Sequence, residues 1–292
     1  MSKGTISYPK ISIVTASYNQ AAYLETTMRS ILDQDYPNVE YMVMDGGSTD
    51  GSVELIRKYT DRLAHWESER DRGPGHALNK GFSRASGDIF AWVNSDDYLL
   101  PGALHTVARV LTTEPVNMVY GDSLHVNQHG WVTDVSILPA MPLKALLLHS
   151  LWCIHQESAF WSADLHRKTG LISEAIFPGF DVDWFLRMSA VPECRPRYLR
   201  VPLGVAREHS AQNIAELREE GHNAAKLLAL LPRKKFIQEH KTPRWKLVMG
   251  GLYYGLWRRA HYAYMNQQGW GYVFRWPHWN TIRRIANVQH EW

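Results

Sequence analysis

The sequence predicts an α/β domain with a mostly parallel central sheet flanked by helices, antiparallel additions, and a helical, aromatic-rich C-terminal extension. Three observations predict it. Short β-branched runs alternate with segments of helical periodicity over about the first 110 residues, the signature of strand–helix repeats. Those runs end in polar or glycine-rich residues at Ser17, Asp45 and Asp97, which places their loops along one edge of a parallel sheet. From Met118 onward the order changes to two adjacent strands around Asn127-Gln128-His129-Gly130, so antiparallel strands follow the parallel ones.

Taken in order, Ile11-Ser12-Ile13-Val14 is a strand that enters the loop Thr15 to Asn19. Leu24, Met28, Ile31 and Leu32 recur at helical spacing in a helix that stops before Pro37. A second strand, Val39 to Met44, closes in Asp45-Gly46-Gly47-Ser48-Thr49-Asp50-Gly51, where two glycines permit a tight turn and Ser, Thr and Asp offer caps for a helix over Val53 to Tyr59. Leu63 to Trp66 reads as a short strand and Ala77 to Ala85 as a helix. The stretch Gly87 to Asp97 follows, an apolar run that stops at two adjacent carboxylates and the turn pair Pro101-Gly102. Leu104, Val107, Ala108 and Leu111 mark the next helix. Beyond the hairpin come a short helix at Leu143 to Leu148, a strand at Glu157 to Trp161, a helix at Asp181 to Met188 and a longer amphipathic helix from Ile214 to Leu231. Three regions are expected: a nucleotide-binding half over 1–125, an acceptor and base half of the same domain over 126–232, and a basic extension over 233–292.

Composition excludes disorder, since 45% of the 292 residues are hydrophobic and 21% charged. Cys153 and Cys194 form no framework, which fits a reducing compartment. The first residues carry no signal-peptide apolar stretch, so the expected location is cytoplasmic. The net charge of +3 hides an asymmetry: eleven Lys or Arg against Glu239 and Glu291 from Arg233 onward make that segment about +9 and the rest about −6. Two aspartates side by side at a strand end suit a hard divalent cation and the phosphates it carries, although Asp is also common in turns.

With these pieces in place the chain resembles the family 2 glycosyltransferases, which have the A-type, Rossmann-like nucleotide-sugar fold. The resemblance rests on Val14-Thr15-Ala16-Ser17-Tyr18-Asn19, on Met44 to Ser52, on Asp71-Arg72-Gly73 with Ala77-Leu78-Asn79-Lys80-Gly81, and on Gly87-Asp88 leading to Asn94-Ser95-Asp96-Asp97. It covers roughly residues 10–125 and thins beyond. Ala16 departs from the Pro or Thr of many members, which implies only a change in loop stiffness.

The resemblance implies a nucleotide pocket of Ala16, Ser17, Tyr18, Asp45, Asp71, Arg72 and Asp96. Tyr18 would stack on the base, Asp45 accept from it, Asp71 and Arg72 close the pocket, and Asp96 lie near the ribose. Asp45 could instead cap a helix, but Ser48, Thr49 and Asp50 already offer caps and leave it free; for Arg72 the competing reading is a surface ion pair. Asp97 is implied to bind Mn²⁺ or Mg²⁺ on the donor diphosphate, with His209 of Arg207-Glu208-His209 completing the shell. Trp152, His155, Gln156, Asp96 and Arg207 would line the donor sugar and acceptor. Asp181 in Phe180-Asp181-Val182-Asp183 is implied as catalytic base, and Asp183 stays structural. The resulting expectation is an inverting, metal-dependent transfer from a nucleoside diphosphate sugar, taken as a UDP-sugar, to a hydroxyl of a lipid-linked or surface-polysaccharide glycan.

From Arg244 to Trp292 eleven Trp or Tyr residues interleave with basic ones. Leu247 to Trp257 is too short to span a bilayer, which needs about 20 residues. The mix suits the headgroup layer of an anionic inner leaflet, with packing against the acceptor side or an oligomer interface as the competing reading. Nucleic acid is not expected as a partner. Two rivals remain at this stage. A sugar-phosphate nucleotidyltransferase would want a glycine- and arginine-rich loop after the first strand. A non-catalytic sugar-nucleotide or membrane-binding protein would not need both Asp97 and Asp181.

Overall fold

The computed structural model describes residues 8–138, 142–149, 154–176 and 179–209, together with 232, 236, 238 and 239. The expected helix over 214–231, Trp152 and the basic extension apart from 236, 238 and 239 therefore lie outside the described residues.

The strands are β1 (Ile11–Ser17), β2 (Val39–Asp45), β3 (His65–Ser68), β4 (Ile89–Trp92), β5 (Tyr98–Leu99), β6 (Met118–Asn127), β7 (Val132–Ser136), β8 (Ala159–Ser162) and β9 (Pro196–Glu208). The helices are α1 (Ala21–Leu32), α2 (Ser52–Lys58), α3 (Pro74–Arg84), α4 (Ala103–Thr113), α5 (Leu143–His149), α6 (Ala163–Thr169) and α7 (Phe180–Ala190). All nine strands join one sheet in the order β3-β2-β1-β4-β8-β6-β9-β5, with β7 paired to β6. The first four run parallel. β8 is antiparallel to both β4 and β6, and β9 is parallel to β6 but antiparallel to β5. The fold is thus the expected parallel unit with antiparallel additions.

Alternation along the strands fills both faces. On β4, Phe90 and Trp92 enter one core with Val14, Phe82, Trp161, Trp184 and Phe185. Ile89, Ala91 and Val93 enter the other with Ile11, Ile13, Leu24, Met28, Leu104 and Val107. α1, α2 and α4 cover the second face, and α3, α6 and α7 the first. α3 starts at Pro74, a residue whose fixed φ suits a first helical position, three residues earlier than apolar spacing predicts.

β9 is the largest departure from the sequence reading. This 13-residue strand holds Pro196, Pro202, Gly204 and three arginines and shows no clean alternation, so periodicity does not mark it. It survives because β6 pairs with it along its length and absorbs irregularities on either side of Asp122. The expected strand from Glu157 is shorter: Gln156–Ser158 is a 3₁₀ turn and β8 begins at Ala159.

Helix α3 approaches the sheet through Gly81. A Cβ there would land on Val14 Cγ1 and lie 3.2 Å from Met44 Cγ, and neither neighbour has space to yield. Gly81→Ala gains about 1 kcal/mol of helix propensity, whereas overpacking a close-packed interior costs typically ~1–3 kcal/mol. The overpacking wins. Urea unfolding should show a net loss of roughly 1–2 kcal/mol; a variant more stable than the parent would disprove this close approach.

Candidate functional site

The carboxyl ends of β1, β2 and β4 open on one side of the sheet, with Ser17 in register with Asp45 and Val14 with Trp92. Two groups of side chains gather there.

The first surrounds Tyr18. Gly46 sits between its ring and Asp71: a Cβ at Gly46 would be 3.0 Å from Asp71 Oδ2 and 3.3 Å from Tyr18 Cδ2. Tyr18 is 60% exposed, so a broad aromatic face stands open beside a carboxylate. Asp71 is fixed by the Gly73 N–H, which donates to Oδ1 at 2.7 Å. Ser17 and Ala16 close β1 beneath them, and Ser17 Oγ is buried without a hydrogen-bond partner. Asp45 behaves otherwise than expected. It is buried and accepts from Gly47 N, Ser48 N, Ser48 Oγ and Ser68 Oγ. The reasoning that Ser48, Thr49 and Asp50 leave Asp45 free is therefore corrected: Asp45 itself builds the turn, and Ser48 is one of its donors. Asp50 braces the next segment by accepting from Ser52 N and Ala21 N. Arg72 lies at the rim with its side chain 68% exposed and pairs with Glu174 at 2.7 Å, the surface ion pair that competed with a pocket role.

The second group surrounds the aspartate pair. Trp92 ends β4, Asp97 N donates to Asn94 O to close a turn, and buried Thr27 of α1 donates to the carbonyls of Ser95 and Asp97. Asp97 is only 4% exposed. Its Oδ1 accepts from the Arg207 backbone N–H at 3.0 Å, and its Oδ2 from Gln156 Nε2 at 2.6 Å and Asn94 Nδ2 at 3.2 Å. Asp96 instead turns Oδ2 toward His209 Nε2 at 3.1 Å. The adjacent aspartates, expected at the metal (Asp97) and near the ribose (Asp96), thus have different partners. Asp97 is an interior strut saturated by protein donors, and Asp96 is the carboxylate that meets the histidine.

Arg207 and His209 reach this point along β9. The Arg207 guanidinium lies 5.0 Å from the Tyr23 ring centroid and 5.4 Å from that of Tyr98, and its Nε donates to the Asp96 carbonyl at 3.1 Å. The His209 ring packs on Tyr23 at 4.2 Å. Arg207, expected to line the donor sugar and acceptor, is 6% exposed and braces the aspartate loop through the Asp96 carbonyl.

Burial pushes the Asp97 carboxyl well above the usual carboxylate range, and the neighbouring Asp96 and Glu157 push it further, against the opposing Arg207 and Asn94 donors. Glu157 is raised by burial too; it is held by Ser123 Oγ while its Oε2 has no partner. His155 is buried, bonded to Ser136 Oγ at 2.9 Å, and pushed down to about 3 by desolvation, which keeps it neutral inside the β6–β7 hairpin. Of the expected pair His155 and Gln156, only Gln156 touches the aspartates. Sequence reasoning also passed over Tyr23, Thr27 and Glu157, none of which carries a motif signal of its own.

Asp96 and Glu157 raise the Asp97 carboxyl, and Asp96 raises that of Glu157, a setting that a divalent cation relieves. Asp96 and His209 supply two donors, an oxygen and a nitrogen. Among the described residues no group of three metal-ligating side chains forms a closed cage. Two protein donors fit an ion that takes its other ligands from phosphate and water.

Asp181 lies in the first turn of α7, after Gly179 in the left-handed region. Its neighbour Phe180 packs on Trp92 at 6.4 Å between centroids, and Phe185 stacks on the same indole at 5.5 Å, so the helix start is docked on the strand that carries the aspartates. Asp183 pairs with Arg187 at 2.9 Å, a structural role.

The family model described as glycosyl transferase family 2 matches residues 12–167. An uncharacterized glycosyltransferase of Rickettsia felis is 29% identical over 194 residues, covering 63% of this chain and 32% of that protein. A Bacillus subtilis protein named putative teichuronic acid biosynthesis glycosyltransferase TuaG is 37% identical over 92 residues, 30% of this chain and 36% of that one. The chain spans about a third of the length of the first two curated relatives it matches. Among solved structures, Staphylococcus aureus TarS 1–349 in complex with UDP-GlcNAc has a TM-score of 0.58 at 20% identity, covering 70% of this chain and 60% of that one. The mannosyltransferase PcManGT of Pyrobaculum calidifontis, in complex with GDP-Man and Mn²⁺, has a TM-score of 0.53 at 18% identity, covering 97% and 86%. These likenesses carry the fold, and the family match extends over more than half of the sequence: the chain belongs to glycosyl transferase family 2.

Proposed function

We propose that the chain transfers a sugar from a nucleoside diphosphate sugar to an acceptor hydroxyl with inversion, and that Asp96, not Asp97, faces the donor diphosphate. One observation carries this reading: Asp96 meets His209 at 3.1 Å while Asp97 is fully engaged by Gln156, Asn94 and Arg207 N. Asp96 and His209 would hold Mn²⁺ or Mg²⁺, and the bound ion would supply charge stabilisation to the departing diphosphate. Mn²⁺ suits the imidazole better.

The remaining steps belong to the chain's own groups. Tyr18 offers its exposed ring to the base, with Asp71 beside it as acceptor for a base N–H. Asp97, Gln156 and Arg207 hold the Asp96 loop rigid, so little reorganisation is needed when charge develops. Asp181 takes the acceptor hydroxyl's proton on its carboxylate as the nucleotide leaves from the opposite face of the anomeric carbon. The donor is read as a UDP-sugar, the nucleotide class named for the TarS complex. A lipid-linked or surface-polysaccharide acceptor at the inner leaflet is supported by the TuaG likeness and by the basic, aromatic composition of 233–292. No helix among the described residues is long and apolar enough to cross a membrane.

The reading separates the two carboxylates by experiment. Asp181→Asn should lower kcat by ~10²–10⁴-fold while leaving the donor's Mn²⁺-dependent thermal shift intact. Asp96→Asn should abolish that shift as well as turnover. Unchanged turnover in both variants would end the proposal. Tyr18→Ala, which removes the stacking face, should raise the donor KM by about tenfold with a smaller effect on kcat; a KM equal to that of the parent would place the base elsewhere.

A further inference from the structure

A cavity of about 960 Å³ lies between α4, the start of α5 and the first half of β9, and it shares no residue with the donor site. Among the described residues its lining includes three arginines, Arg109, Arg197 and Arg200, and no acidic residue, although Asp122 lies close enough to Arg200 to interact with it. β9 aims one of them inward by a bulge: Gly121 of β6 pairs with Leu199 but the next residue, Asp122, pairs with Pro202, so Arg200 and Val201 loop out of the ladder. Gly121 makes the loop possible, because a Cβ there would stand 2.6 Å from the Val201 carbonyl oxygen. At the groove's edge Tyr198 is half-buried, while Tyr120 is only 3% exposed and belongs to the core of the first face. Tyr120 and Tyr198 stack at 5.5 Å with their planes 19° apart, and the Tyr198 hydroxyl is locked by donating to buried Asp122 at 2.5 Å and accepting from Leu138 N at 3.1 Å. Arg197 also reaches Glu114 at 3.3 Å, but both partners are solvent-exposed, and such a pair is easily exchanged.

Guanidinium forks match phosphate oxygens in pairs. The volume is at the upper end of small-ligand sites, room for more than one saccharide unit. Leu100 to Ala103 line the cavity and follow Asp97-Tyr98-Leu99 in the chain. We propose that this groove binds the phosphate groups of an extended, phosphate-bearing acceptor saccharide, gripped by Arg109, Arg197 and Arg200. The assignment rests on the glycosyl-transfer reading for the word acceptor, while the anion site itself does not.

Hydrogen–deuterium exchange of the full chain with inorganic tripolyphosphate in metal-free buffer tests the groove and separates it from the basic 233–292 segment. Tripolyphosphate should slow exchange in peptides covering 103–110 and 196–203. The double variant Arg109→Ala/Arg200→Ala should weaken that protection by about tenfold or more in concentration. Donor hydrolysis and nucleotide binding should stay at the parent level, since neither arginine touches the donor site. Absence of protection in these peptides, or protection of equal affinity in the variant, would overturn the groove. So would protection by phosphatidylglycerol vesicles but not by tripolyphosphate, which would put a lipid surface there instead. If Asp96→Asn and Asp181→Asn leave turnover unchanged while the groove is still protected, the transfer reading fails and the anion site stands.

Discussion

The site depends on one interior carboxylate. Asp97 joins three segments far apart in sequence: the loop after β4 that contains it, the 3₁₀ turn at Gln156, and the end of β9 at Arg207. A carboxylate taken out of water is costly to keep ionised, and here burial and two neighbouring acids raise its pKa further. Three N–H donors offset much of that cost, and each comes from a group that must itself be in place. Removing any one leaves a buried charge under-satisfied, so the arrangement is close to all-or-none. The loop is consequently rigid where its neighbour Asp96 must meet His209.

That rigidity passes outward through aromatic packing. Trp92, fully buried, contacts Phe82, Trp161, Phe180, Trp184 and Phe185, so the strand that leads to the aspartates and the helix that begins with Asp181 share one wall. On the other face Thr27 of α1 holds the carbonyls of the same loop, and Tyr23 of α1 packs on His209 and Arg207. In the proposed transfer a leaving-group site at Asp96 and a base at Asp181 would sit on separate elements that this packing joins.

Much of this was legible in the sequence where local signals are strong. The strand and helix repeats to residue 113 and the hairpin of β6 and β7 follow from periodicity and turn residues. β9 was not legible, because two prolines, a glycine and a two-residue loop-out break any alternation, and its partner lies about 80 residues away. The split between Asp96 and Asp97 was hidden for the same reason: which of two adjacent carboxylates points inward is decided by donors at 156 and 207, not by the residues beside them. Asp45 was misread because a count of available caps does not say which of them cap. It was Asp45 that took the turn's N–H groups, leaving Asp71 beside Tyr18 as the accessible carboxylate. Arg72 shows the ordinary outcome for an exposed charge, an ion pair with the nearest acid.

The central claim is that Asp97 supports the site and Asp96 presents it. The most direct test is a crystal structure of the chain with Mn²⁺ and a nucleoside diphosphate, with the ion located by its anomalous scattering. The account predicts a peak at bonding distance from Asp96 and His209, with Asp97 still bonded to Gln156 and to the Arg207 N–H. A peak on the Asp97 carboxylate, with the Gln156 contact broken to admit it, would contradict the account.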